Sequence, residues 1–129
     1  MLDSTIRDFA QGKNFGSISV HLADGSIATH VMWVDADDDH VLINTEVHRL
    51  KYKAMMANPK VTVAIWDAAN AYTYAEVRGV VVGEVRGQAA RDHIDFCSRK
   101  YTGEDYANSI TSERVIVKIA PERQRSQGL

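Results

Sequence analysis

Apolar positions along this chain recur mostly with a period of two, and helical spacing takes over in only a few short stretches. Leu2, Ile6, Phe9 and Ala10 repeat at helical spacing behind Asp3 or Ser4 as a possible cap, and Gly12 falls where such a helix would stop. From Phe15 the period becomes two. Ile18, Val20 and Leu22 alternate with Ser17, Ser19 and His21, Asp24-Gly25 reads as a two-residue hairpin turn, and the return strand is Ser26 to Val34. That turn predicts Leu22 opposite Ile27, Val20 opposite Thr29 and Ser19 opposite His30. One face then carries Ile18, Val20, Leu22, Ile27, Val31 and Trp33, and the other carries Ser17, Ser19, His21, Ala28, His30 and Met32.

The acidic run Asp35 to Asp39 reads as a turn leading into a strand from His40 to Thr45. A basic helical segment follows, Asn58-Pro59 stops it, and Val61, Val63 and Ile65 mark the next strand, Lys60 to Asp67. A long strand-like run from Tyr72 to Arg86 contains Gly79 and Gly83, with Gly87 following at the same spacing. Glycines inside a strand permit a bulge or the close approach of a neighbour, and this spacing is not a dinucleotide fingerprint. Ala90, Ile94, Cys97 and Tyr101 stripe a helix from Gln88 to Tyr101, broken by Gly103. A last strand, Arg114 to Ala120, sets Val115, Val117 and Ile119 on one side, and Pro121 is expected to end it before a loosely held polar tail, 121–129. Six strands with two or three short helices and hairpin-length connections argue for an antiparallel barrel or sandwich, because such connections cannot join parallel strands.

At 129 residues one domain, 1–129, is expected. Hydrophobic content of 45% and charged content of 25% are those of a globular chain, no apolar run approaches the roughly 18 residues of a membrane span, and the start does not read as a signal peptide. The single Cys97 cannot form an internal disulfide, so a reduced, cytoplasmic protein with a packed thiol is expected. A net charge of −2 supplies no general attraction to nucleic acid or membrane, and neither is expected as a partner.

Against that background the cluster Arg49, Lys51 and Lys53, just after a strand ending in Asn44-Thr45, stands out. Positive charge near a helix start suits a phosphate-bearing ligand, and the competing reading is a solvated basic helix face. Other chemistry is sparse: HExxH, CxxC, GxSxG and P-loop motifs are all absent. His21 and His30 are diagonal neighbours in the expected hairpin but lack a third ligand, and Asp37, Asp38 and Asp39 lack the spacing of an EF-hand, so no metal site is expected. Cys97 and His93 stand at helical spacing, but a buried structural thiol is the simpler reading of that pair.

The ordered set THVMWV, VLINTEVHRLKYKAMMANPKVTVAI, YAEVRGVVVGEV, ARDHIDFCSRKYTGEDY and RVIVKIAPER resembles the flavin-binding family related to pyridoxamine 5′-phosphate oxidase, and within it the small branch that uses the deazaflavin coenzyme F420. The resemblance spans about Phe15 to Arg123. It implies a six-stranded antiparallel split β-barrel (the FMN-binding split barrel), a homodimer with cofactor sites in grooves between subunits, and hydride transfer from reduced F420 to a conjugated small-molecule acceptor. FMN in the same fold, as a flavin reductase or oxidase, and a non-catalytic dimeric cofactor-binding protein are the alternatives. By the same resemblance Asn44, Thr45, Arg49 and Lys51 would serve the cofactor phosphate, Lys53 would serve an anionic tail, and His30, Met32 and Trp33 would lie near the ring. No catalytic acid is identified. His48 stands where relatives commonly carry Gly, Gln127 stands where many carry Trp, and the Arg-rich C-terminal motif of a true pyridoxamine phosphate oxidase is missing.

Overall fold

The computed structural model describes residues 1–129. It opens with α1 (Ser4–Gln11), whose free N-terminal amides are met by Asp3: the carboxylate accepts from Thr5 N at 2.9 Å and Ile6 N at 3.1 Å. Leu2, Ile6 and Ala10 go into the core, as their spacing requires.

Seven antiparallel strands follow, where the sequence pattern suggested six. They are β1 (Phe15–His21), β2 (Ile27–Met32), β3 (Asp35–Ala36), β4 (Val41–Glu46), β5 (Lys60–Trp66), β6 (Tyr74–Arg86) and β7 (Arg114–Gln127), with α2 (Leu50–Ala57) before β5 and α3 (Gln88–Thr102) before β7. Their order in the one sheet is β2-β1-β5-β6-β7-β4-β3. The extra strand is β3, which lies inside the acidic run read as a turn and pairs Asp35 with Leu42 and Ala36 with Val41. Asp37, in the remainder of that run, accepts from Asp39 N, His40 N and His40 Nδ1, which leaves it a turn-forming group.

The β1–β2 hairpin corrects the expected register by one residue. His21 faces Ile27, Val20 faces Ala28, Ser19 faces Thr29 and Ile18 faces His30. The loop holds three residues, Ala23 to Gly25: Gly25 N donates to Leu22 O, Leu22 N donates to Ser26 O, and Gly25 takes the left-handed conformation at φ +87°. A two-residue type I′ turn would need positive φ at Asp24 as well, and Asp24 does not have it. A slip of one residue exchanges the faces of β2. Met32 therefore joins Ile18 and Val20 in the core, while Val31 and Ile27 face outward, 71% and 64% exposed. His21 and His30 consequently lie on opposite faces and cannot act as a pair.

The β6–β7 ladder also departs from expectation, since β7 runs through Pro121 to Gln127. Glu122 is an extra residue at a bulge opposite Arg78 and Gly79, so proline sits beside an irregularity where a missing N–H is tolerated. A second bulge sets Val82 off the ladder on β6. Gly79 is required there, because a Cβ would collide with the Ala120 carbonyl. One core of aliphatic side chains lies on the inner face of this bent sheet, and α2 adds Tyr52, Ala54 and Met55 to it.

Candidate functional site

The ends of β2, β4 and β7, with α2 and α3, surround a cleft of about 360 Å³. Its apolar lining includes Phe15, Val31, Met32, Trp33 and Tyr106, and its polar lining is Asn44, Arg49, Lys51, Asn108 and Arg114, with Ile94 and Cys97 contributed by α3. Trp33 lies just beyond the end of β2, so strand alternation no longer separates it from Met32, and both reach the cleft. The Trp33 ring stacks on Tyr101 at 5.4 Å and meets Tyr106 edge-on at 6.1 Å, which holds the Trp33 plane and sets the two cleft rings nearly at right angles.

The cationic side is built from two elements. Arg49 caps α2 without a side-chain hydrogen bond to the helix, and instead donates to Glu46 Oε2 at 3.2 Å. Lys51 is only 7% exposed, yet its ammonium has neither a hydrogen-bond nor an ion-pair partner. Burial, then the neighbouring charges of Arg49 and Arg114, push its pKa down to about 8. Arg114, at the start of β7, is 4% exposed, donates from Nε to Asn44 Oδ1 at 2.8 Å, lies over the Tyr106 ring at 5.2 Å, and leaves Nη1 without a hydrogen bond. Glu46 is the one carboxylate among them. Burial pushes it up, but the amides of Ser112 and Thr111 and the two guanidiniums more than offset this and hold it below the ordinary range. Three cations against one anion leave the cleft with an uncompensated positive charge, the condition under which a bound anion is stabilised.

Beneath the cleft runs a polar chain. Arg114 Nε can only donate, so the Asn44 atom facing it is the oxygen; the amide nitrogen then donates to Ala90 O at 2.9 Å and to His93 Nδ1 at 3.0 Å. His93 therefore carries its proton on Nε2 and donates it to Asp35 Oδ2 at 2.9 Å. Asp35 is kept below its ordinary pKa: burial opposes ionisation, but the bond from His93, the Ala36 amide and the charge of Lys100 outweigh it. Cys97 lies 3.6 Å from His93 Nε2, so Asp35, His93 and Cys97 form a cluster of metal-ligand types. The tautomer argues against that use, because the nitrogen facing the group carries a proton. Burial, and then the Asp35 carboxylate, push the Cys97 thiol up to about 12, which argues equally against a nucleophile.

Of the eight residues singled out in the sequence, Met32, Trp33, Asn44, Arg49 and Lys51 converge on this cleft. Thr45 does not: it alternates with Asn44 and is fully buried on the Val41 and Ile43 side of β4, its hydroxyl unpartnered. His30 faces Ile18 and Lys53 is exposed on α2, so neither lines the cleft. His48 bonds Ser112 and Gln127 pairs with Tyr74, and neither residue lines it. Arg114, Tyr106 and Glu46 were missed. An arginine opening the apolar strand RVIVKIA was the available signal, since a charge there needs a partner.

No known family's sequence profile and no curated protein matches the chain. Solved structures do. An F420 reductase superposes with a TM-score of 0.81 at 24% identity, covering 94% of this chain and 96% of its own. The conserved hypothetical protein Rv2991 of Mycobacterium tuberculosis gives 0.76 at 23% identity, covering 98% and 84%. A protein of Listeria innocua, provisionally named a pyridoxamine 5′-phosphate oxidase, gives 0.69 at 18%, covering 95% of each chain. At these identities the likeness is one of fold: a mainly β chain with the architecture of the pyridoxamine phosphate oxidase-like split barrels. No helix is long and apolar enough to cross a membrane.

Proposed function

We propose that the cleft holds a phosphate-bearing flavin or deazaflavin and that the protein is an oxidoreductase, with reduced F420 as the hydride donor to a conjugated small-molecule acceptor and FMN as the alternative cofactor. The observation that carries this reading is the uncompensated charge beside aromatic rings: Lys51 is buried without a partner, Arg114 Nη1 makes no hydrogen bond, and Trp33 and Tyr106 line the same cleft. These donors suit a phosphate, and the Trp33, Tyr106, Met32 and Phe15 surface suits a planar ring. When bound, such a cofactor supplies the hydride chemistry, and the chain's part is to bind, orient and exclude water. Arg49 and Lys51 hold the anionic end by charge-assisted bonds, Trp33 and Met32 limit the ring's position, and Glu46 keeps Arg49 and Arg114 from swinging away. Cys97 stays a packed thiol, and no side chain is assigned as proton donor.

The cofactor groove is completed, in this reading, by a second copy of the chain. Val31 and Phe15 line the cleft while remaining largely exposed, which supports a covering partner at its mouth. Titration with F420 and with FMN, followed by fluorescence and calorimetry, tests the whole reading. F420 should bind more tightly; tight FMN binding with none for F420 would reverse the order, and failure of both would remove the redox assignment.

A further inference from the structure

Arg114 differs from every other arginine in this chain in being almost wholly buried while one of its nitrogens makes no hydrogen bond. A guanidinium in such a place needs something to hold its plane and something to receive its remaining donors. The first requirement is met by the chain Asp35, His93, Asn44, Arg114, which links β3, α3, β4 and β7 through bonds of 2.9, 3.0 and 2.8 Å. Each link dictates the next. Ionised Asp35 draws the imidazole proton to Nε2, bare Nδ1 accepts from the Asn44 nitrogen, and the Asn44 oxygen is thereby turned toward Arg114. Tyr106 backs the guanidinium from its face. The second requirement is met within the chain only by Glu46, whose Oε2 stands 3.6 Å from Nη1, too far for a hydrogen bond.

We propose that Arg114 is an anion ligand of the cleft, and that His93 is its positioning residue, acting through Asn44. Arg114 then gives the phosphate site a third cation, supplied from β7 and not from the basic segment around α2. This rests on the reading of the cleft as an anion site but is independent of which cofactor bears the anion. His93 touches no ligand. Together with the Ala90 carbonyl, which accepts from the same Asn44 nitrogen at 2.9 Å, it holds the amide with its oxygen toward the arginine; an apolar ring removes one of those two acceptors, and a histidine protonated on Nδ1 opposes the donor.

Inorganic phosphate is the probe, titrated by calorimetry into the whole protein at neutral pH and fixed salt. Arg114→Ala should weaken binding by about tenfold or more, the usual loss when a charged hydrogen bond is removed. His93→Phe should weaken it in the same sense, and His93→Gln should recover most of the loss, since an amide offers one acceptor and one donor as this imidazole does. The deciding measurement is the cycle: on the Arg114→Ala background His93→Phe should have no further effect. Melting curves separate loss of fold from loss of affinity, and should His93→Phe fail to fold, the Gln variant on both backgrounds decides. Unchanged affinity in Arg114→Ala, additive losses in the cycle, or wild-type protein that binds no phosphate would each overturn the proposal. Phosphate binding with neither F420 nor FMN bound would leave it standing while removing the cofactor assignment.

Discussion

Two groups of cations in this molecule sit under opposite conditions. On the outer surface Arg78 and Arg86 are each matched: Arg78 donates to Glu76 at 3.0 Å, and Arg86 donates to Glu84 at 3.2 Å and Glu113 at 2.7 Å, all with water close by. In the cleft Arg49 and Arg114 share Glu46, Lys51 pairs with no carboxylate, and two of the three are buried. A folded chain left to minimise its own free energy would pair the buried charges first, because solvent screens the surface ones anyway. On the reading proposed above, the reverse distribution in the cleft is stability given up for binding.

The sharpest way to break that contrast is to remove Arg49 and Lys51 together. Each charge-assisted bond is worth about 1.5–3 kcal/mol, so Arg49→Ala Lys51→Ala should lose roughly a hundredfold or more in cofactor affinity. Its binding should also respond less to added salt than the wild type does. An unchanged affinity and salt slope would reduce the cluster to a solvated face.

Lys51→Met should separate stability from binding. The folded-state pKa of Lys51, about 8, lies below its ordinary value of 10.5, so below pH 8 the folded protein carries the full cost of a buried ammonium. As pH rises from 8 to 10.5 the unfolded chain binds more protons than the folded one, and wild-type stability gains from this group. At neutral pH the variant should therefore be more stable by about 1–3 kcal/mol while binding cofactor more weakly, with the stability gain fading in alkali. Melting temperatures across that range check the sign. Wild-type affinity for an anion should fall as pH rises through about 8. The matching change at exposed Lys53 should do neither.

The smallest effect is expected at the surface. Arg78→Ala removes a residue whose one ion pair is exposed, such pairs contribute little, and neither melting temperature nor phosphate affinity should move measurably. A large drop in affinity would mean that the distinction between the two groups is false.

How much of this could be read from sequence depends on how far apart the cooperating residues lie. Period-two alternation located β1, β2, β4, β5, β6 and the start of β7, because one buried face imposes it locally. Register was not legible in the first hairpin, where one more loop residue, invisible in the letters Asp24-Gly25, turned Val31 outward and His30 inward. Two-residue β3 has no period to detect. Arg49 and Lys51 were legible as neighbours, whereas the burial of Lys51 and the exposure of Lys53 follow from helix phase: Lys51, Tyr52 and Met55 share the packed side of α2. Arg114 stands 65 positions from Arg49 along the chain, and only the β4–β7 pairing brings it opposite Glu46.

The two bulges on the β6–β7 ladder act on opposite strands, and their offsets cancel: residue numbers in facing pairs sum to 201 at both ends and to 200 between the bulges. Each surplus residue is nevertheless absorbed where it stands, since Val81 and Gly83 face the successive residues Ile119 and Lys118, and Arg78 and Gly79 are the successive partners of Arg123 and Pro121. The bulges work as expansion joints: each takes up one residue without turning over the pairs on either side of it. Deleting Val82 should therefore close one joint and leave every facing pair in place, at the cost of the local bend. A deletion in the regular stretch between the joints has no surplus residue to draw on, and there the exchange of faces would follow.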